Sequence, residues 1–167
     1  MEEIWQDLKN AIYENNLEEF QDLLEKYPDL VNYESQSGWT PLMHSVDNER
    51  EEMVRILVKL GADIDHKDCR GISTLWFSVD RKYYEITEFL LESGANPDIQ
   101  DYLGFTPLYK AVRDADVRMV EILSRNGANP RVQNVSGKTA LDWAKTDEMR
   151  DILLSGGLPG PKRAEKK

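Results

Sequence analysis

The sequence predicts an all-α fold, a solenoid of helix-turn-helix units joined by hairpin loops, and three observations carry the prediction. Gly38, Gly71, Gly104 and Gly137 stand 33 residues apart. Gly61, Gly94 and Gly127 keep the same period in a second phase. The segments that open on the first series match one another, reading GWTPLMHSV, GISTLWFSV, GFTPLYKAV and GKTALDWAK. Counting both ends, about five units fit the chain.

Residues 1–37 hold a helix pair, Leu8-Ala11-Ile12 and then Leu17-Phe20-Leu23-Leu24, without the Gly-x-Thr-Pro opening, and read as an N-terminal cap repeat. Full repeats follow at 38–70, 71–103 and 104–136. Their first helices are announced by Thr40, Ser73 and Thr106, with Thr139 in the last unit, because a hydroxyl there accepts from a free N–H of the first turn. Pro41 and Pro107 come next, at the first helical position, where a missing N–H costs nothing. Thr74 replaces that proline in the second full repeat, which weakens its helix start and marks it as the repeat to open first. Each second helix carries one apolar stripe, Met53-Val54-Ile56-Leu57, Ile86-Phe89-Leu90 and Met119-Val120-Ile122-Leu123. Gly61, Gly94 and Gly127 then provide the left-handed residue that ends it. Residues 137–157 form a shorter C-terminal cap repeat, with 20 residues between Gly137 and Gly157 where the full repeats have 23. Residues 158–167 lack periodicity and read as a disordered, solvated tail.

This pattern resembles the ankyrin repeat, whose period is 33 and whose signature contains a T-P-L-H-x-A run. The resemblance covers residues from about Ile4 to Gly157. Two departures stand out. The histidine that usually follows Thr-Pro-Leu in that family is replaced by Met43, Trp76, Tyr109 and Asp142, none of which reproduces its bonding in full. The glycine usual between the two helices is replaced by Glu49, Lys82 and Ala115, with Asn15 in the first unit the one residue suited to a left-handed backbone.

Composition narrows the function. The 167 residues include 31 acids and 21 bases, for a formal charge of −10. That balance argues against duplex nucleic acid, which needs clustered Lys and Arg. No apolar run reaches the roughly 20 residues that cross a bilayer, and the first residues lack a secretory layout, so a cytoplasmic protein with no membrane contact is expected. Cys69 is the one cysteine, and with two histidines 22 residues apart it makes no structural zinc set. His44 on a first helix and His66 in a hairpin have no nucleophile to serve. Cys69, on a hairpin tip, is expected to be exposed but lacks an activating base. The acidic pairs Glu2-Glu3, Glu18-Glu19 and Glu51-Glu52 are neighbours on helices and point about 100° apart, as solvated faces do. The expectation is a protein without catalytic residues, metal or cofactor.

The resemblance implies a binding surface instead, a concave groove lined by hairpin tips and first helices. Its positions include the residue after each opening glycine, here Trp39, Ile72, Phe105 and Lys138, three of them large and apolar. Tyr102 and Leu103 extend the strip, and Trp76 and Tyr109 lie beside it. At the ends of the first helices stand Asp47, Asp80, Arg81, Arg113 and Asp114. Asp68 and Asp101 open their hairpin turns, where local turn bonds are the simpler role, and Trp5 and Trp143 read as packing residues of the caps. An apolar strip with mostly acidic flanks suits a protein partner with a basic patch. The function expected is a non-catalytic protein-protein interaction module, monomeric on its own. It acts either as an inhibitor or immunity-type protein that neutralises an enzyme or toxin, or as an adaptor that localises a partner. The acidity is uneven: residues 1–103 carry 23 acids and 9 bases, and residues 104–167 carry 8 and 12.

Overall fold

Hydroxyl caps start the first helices where the sequence places them. In the computed structural model, which describes residues 2–156, Thr40 Oγ1 accepts from Met43 N at 3.3 Å, Ser73 Oγ from Trp76 N at 3.2 Å and Thr106 Oγ1 from Tyr109 N at 3.2 Å. In the last unit the residue at the family's histidine position completes the start, because the Asp142 carboxylate accepts from both Thr139 N (2.8 Å) and Thr139 Oγ1 (2.9 Å). These two bonds hold the Asp142 carboxyl below its usual range.

The helices pair along the chain as α1 (Glu2–Glu14) with α2 (Leu17–Lys26), α3 (Pro41–Asp47) with α4 (Glu51–Lys59), α5 (Thr74–Asp80) with α6 (Tyr84–Glu92), α7 (Pro107–Arg113) with α8 (Val117–Arg125), and α9 (Ala140–Trp143) beside α10 (Asp147–Leu154). A 3-10 turn, Pro28–Asn32, follows α2. None of these helices is long and apolar enough to cross a membrane. The tail at 158–167, expected to be disordered, lies outside the described residues, as does Gly157.

The chain divides into two compact units, Met1–Ala95 and Asn96–Lys167, so the division falls inside the repeat 71–103. In the first unit α3 packs on α1, α4 and α5, and α5 packs on α6. Its core holds Trp5, Leu8, Ile12, Phe20, Leu42, Met43, Leu57, Leu75 and Leu90, all essentially solvent-free. Burial of each such side chain contributes roughly 1.5–3 kcal/mol. In the second unit α7 packs on α8 and α9, and α8 on α10, around Leu108, Met119, Val120, Leu123 and Leu153. Met43, at a family histidine position, is a core residue of the first unit.

The inter-helix turns of the first four helix pairs are left-handed even though three of the four residues are poorly suited to it. Asn15, Glu49, Lys82 and Ala115 have φ of 57°, 57°, 60° and 55°. The turn survives because the backbone closes around it: Arg50 N donates to Ser45 O (2.8 Å), Tyr83 N to Ser78 O (2.9 Å) and Asp116 N to Ala111 O (3.0 Å). These are the reverse bonds of a Schellman ending, strong enough to offset about 1–2 kcal/mol of left-handed strain per residue.

The hairpins follow one design. At the 33-residue register stand Ser35, Asp68, Asp101 and Asn134. Asp68 Oδ1 accepts from Arg70 N and Ile72 N, Asp101 Oδ1 from Leu103 N and Phe105 N, and Asn134 Oδ1 from Ser136 N and Lys138 N, all at 2.9–3.0 Å. Asp68 and Asp101 thus make the local turn bonds expected of them. Two of the glycines that close these turns, Gly38 and Gly104, lie against the next hairpin. A Cβ on Gly38 would stand 2.8 Å from Cys69 N, and one on Gly104 2.8 Å from Asn134 Cα, so only glycine admits that approach.

Candidate functional site

Six of the residues singled out in the sequence converge in the first unit. Trp39, Asp47, Ile72, Trp76, Asp80 and Arg81 line one open groove of about 440 Å³, together with Arg70 and Phe77. The hairpins supply Trp39, Arg70 and Ile72, while α3 and α5 supply Asp47, Trp76, Phe77 and Asp80, with Arg81 capping the end of α5. Trp39, Ile72 and Trp76 are half-buried, each offering part of its apolar surface to solvent. A fixed, partly exposed aromatic surface of this kind loses little entropy on binding and is typical of interface anchors.

The groove's polar groups are internally matched. Arg81 donates from Nε (3.0 Å) and Nη2 (2.6 Å) to Asp47 Oδ1, and this bond raises the Arg81 pKa above its ordinary value. Arg70 grips the buried Asp68 through Nε (3.0 Å) and Nη2 (2.7 Å) while its guanidinium lies 6.0 Å from the Phe77 ring centroid. Burial pushes the Asp68 carboxyl up, but the bonds from Ile72 N and from Arg70 outweigh it and hold the group below its usual range. The acidic flank expected at Asp47 is therefore corrected: its charge comes with a guanidinium from the next repeat.

Beneath the groove the rings form a chain. Trp39 lies 4.8 Å from Phe77 and 4.9 Å from His44, and His44 in turn lies 5.5 Å from Trp5 and 5.8 Å from Tyr13. His44 Nδ1 pairs with Tyr13 Oη at 3.2 Å. Burial, with the nearby Lys9 charge, lowers the His44 pKa to about 4 against the opposing pull of Asp47, so the imidazole is neutral at pH 7. Trp5 is fully buried here, as a cap residue should be. The sequence reading missed Phe77 and the role of His44. The signal was their register: both stand four residues after a capping hydroxyl, on the face turned toward the residue after the opening glycine.

Tyr102, Phe105, Tyr109 and Asp114 belong to the second unit. Phe105 stacks on Tyr109 at 4.3 Å, and Tyr109 meets Trp143 edge-on at 5.5 Å. Two expectations change here. Tyr109 is only 7% exposed and serves as the inner member of the stack, whereas Trp143, read as cap packing, is 40% exposed. Asp114 is no bare acid, since Lys110 and Arg113 both donate to it. Burial raises the Asp114 carboxyl, and these donors overcome that effect and lower it. Lys110 is almost wholly buried, its charge met by an acid one turn along α7. Tyr102 is fully at the surface, and Cys69 is exposed as expected.

Comparison with known families matches the chain to a family model described as ankyrin repeats (3 copies), over residues 8–101 and 75–158. No curated protein matches the chain.

Proposed function

The chain belongs to the ankyrin repeat family, whose repeats are protein-protein interaction modules and generally not catalytic, and on that premise we propose that it binds a protein partner through the groove of its first unit. The observation that carries the reading is the convergence of Trp39, Ile72 and Trp76 on one open surface edged by Asp47, Asp80 and Arg81. The partner inserts an apolar side chain against the tryptophans and carries basic groups that the net negative charge of the unit attracts. Residues 1–95 support the second half of that description, with 21 acids against 9 bases. A field of that sign attracts a basic protein and speeds encounter, more so at low salt.

An inhibitor of a basic enzyme or toxin is the form of this function that the acid excess favours. The test is capture from native lysate on the immobilised full chain and on its Trp76→Ala variant, with mass spectrometry of what each retains. A polypeptide held by the parent and bound at least about 2 kcal/mol more weakly by the variant supports the groove. Equal retention overturns it. Assaying the captured protein with and without the chain then separates inhibition from simple localisation.

A further inference from the structure

The end of α8 holds a reactive pair that the other repeats lack. At this register the residue before the helix-ending glycine is Leu60, Ser93 and Ser155, whereas the third full repeat places Asn126 before Gly127. It is the one asparagine of the chain that a glycine follows. Asn-Gly is the pairing most prone to attack on its own side chain, because the glycine N–H reaches the amide carbonyl with no Cβ in the way. Asn96 and Asn129 precede prolines, which lack the N–H altogether. Both Asn126 and Gly127 are exposed, and a Cβ on Gly127 would meet nothing within 4 Å, so a cyclised product has room.

The folded turn blocks that attack. Asn126 is held at φ −91° and ψ 19° as the residue ending α8, and its Nδ2 donates to Ile122 O at 2.9 Å. Gly127 N, the attacking group, donates to Ser124 O (3.1 Å), and Ala128 N closes the turn on Leu123 O (3.0 Å). All of these bonds lie in the last turn, where a helix opens at least cost. We propose that Asn126 is a deamidation site shut by the folded turn, converted to aspartate or isoaspartate when the end of α8 opens, and that the product keeps the turn from closing again. In the open form Gly127 N bonds to Asn126 Cγ, the Cγ–Nδ2 bond breaks, and the amide nitrogen leaves as ammonia with the proton from Gly127 N. Water then opens the succinimide. Addition at Cγ yields aspartate and addition at the Asn126 carbonyl carbon yields isoaspartate, with no oxidant or reductant needed. Either product loses the Nδ2 donor to Ile122 O and sets a carboxylate against the negative end of the helix. Isoaspartate also adds a methylene to the main chain between Leu123 and Ala128, which throws the closing bond out of register. The site is independent of the groove of the first unit.

The full chain is held in mildly alkaline buffer, with and without denaturing urea, and Asn126 is followed by peptide mass spectrometry with electron-transfer fragmentation, which tells isoaspartate from aspartate. Exchange of the Gly127 amide is measured in the native condition. The expected result is conversion of Asn126 ahead of every other asparagine in urea, and conversion roughly tenfold or more slower in the native chain, by the factor that Gly127 exchange protection gives. No preference for Asn126 in urea overturns the site. Equal rates with and without urea overturn the guard, and so does a native chain left unconverted after the time that protection factor sets. Converted chain, separated by anion exchange, should show faster amide exchange across residues 122–128 than the parent, and Asn126→Asp should reproduce the share due to the charge. Unchanged exchange in both overturns the effect on the turn. Asn126→Ser abolishes conversion and leaves the first-unit groove intact, so this inference and the proposed binding function fail separately.

Discussion

Arg50 closes the end of α1, donating from Nη2 to the carbonyl oxygen of Tyr13 at 2.7 Å and from Nε to that of Ile12 at 2.9 Å. The last carbonyls of α1 have no partner within their own helix, so the guanidinium binds the cap repeat to the first full one. Charge-assisted bonds of this kind are worth about 1.5–3 kcal/mol, and Arg50→Ala should lower unfolding stability by that amount in urea titration. Arg50→Lys should recover only part of it, because an ammonium lacks the planar fork. A loss under about 0.5 kcal/mol for the alanine variant would mean that water replaces the contact.

His44 gives the first unit a pH dependence whose sign follows from its surroundings. Its folded pKa, about 4, lies below the ordinary 6.5, so the native state favours the neutral ring and the unfolded chain takes up the proton first. Stability is complete above about pH 6.5 and falls as the pH drops toward 4, by roughly 2–3 kcal/mol. His44→Phe keeps a ring in the cluster and should flatten the profile between pH 7 and pH 4.5, leaving only the carboxylate contribution. Identical guanidinium midpoint shifts in parent and variant over that range would contradict the assignment.

The left-handed turns predict stabilising substitutions. Ala115 and Lys82 adopt φ of 55° and 60° with a Cβ in place. Replacement by glycine removes about 1–2 kcal/mol of strain and returns about 0.4–1 kcal/mol through the looser unfolded chain. Ala115→Gly and Lys82→Gly should each raise the denaturation midpoint by the equivalent of about 0.5–1 kcal/mol. A fall in either midpoint would show that the Schellman bonds already absorb the strain.

Thr74 predicts another gain. It occupies the first position of α5, where Pro41 and Pro107 stand in the neighbouring repeats, and its buried hydroxyl finds no hydrogen-bond partner among the described residues. The preceding Ser73 is extended, with φ −90° and ψ 164°, which a following proline requires. Thr74→Pro removes the orphan hydroxyl and rigidifies the unfolded chain, so about 1 kcal/mol of added stability is expected by thermal or urea unfolding. Hydrogen exchange should slow most across α5 and α6. Faster exchange there would count against this account of the helix start.

What the sequence by itself determined is what short-range chemistry controls. The 33-residue period, the hydroxyl starts of α3, α5 and α7, the Asx-type hairpin turns and the glycine endings each rest on bonds between residues about five or fewer positions apart. The candidate surface was partly readable for the same reason, since Trp39, Ile72 and Trp76 keep fixed offsets from a glycine or a cap. Tertiary structure alone decided the rest. Asp47 meets Arg81 across 34 positions, His44 loses its charge because Trp5, Tyr13 and Trp39 surround it, and Tyr109 is covered while Trp143 is left open. Each outcome depends on how much water remains between groups far apart in the chain. Burial and pairing set their charge and reach, and no local pattern encodes those distances.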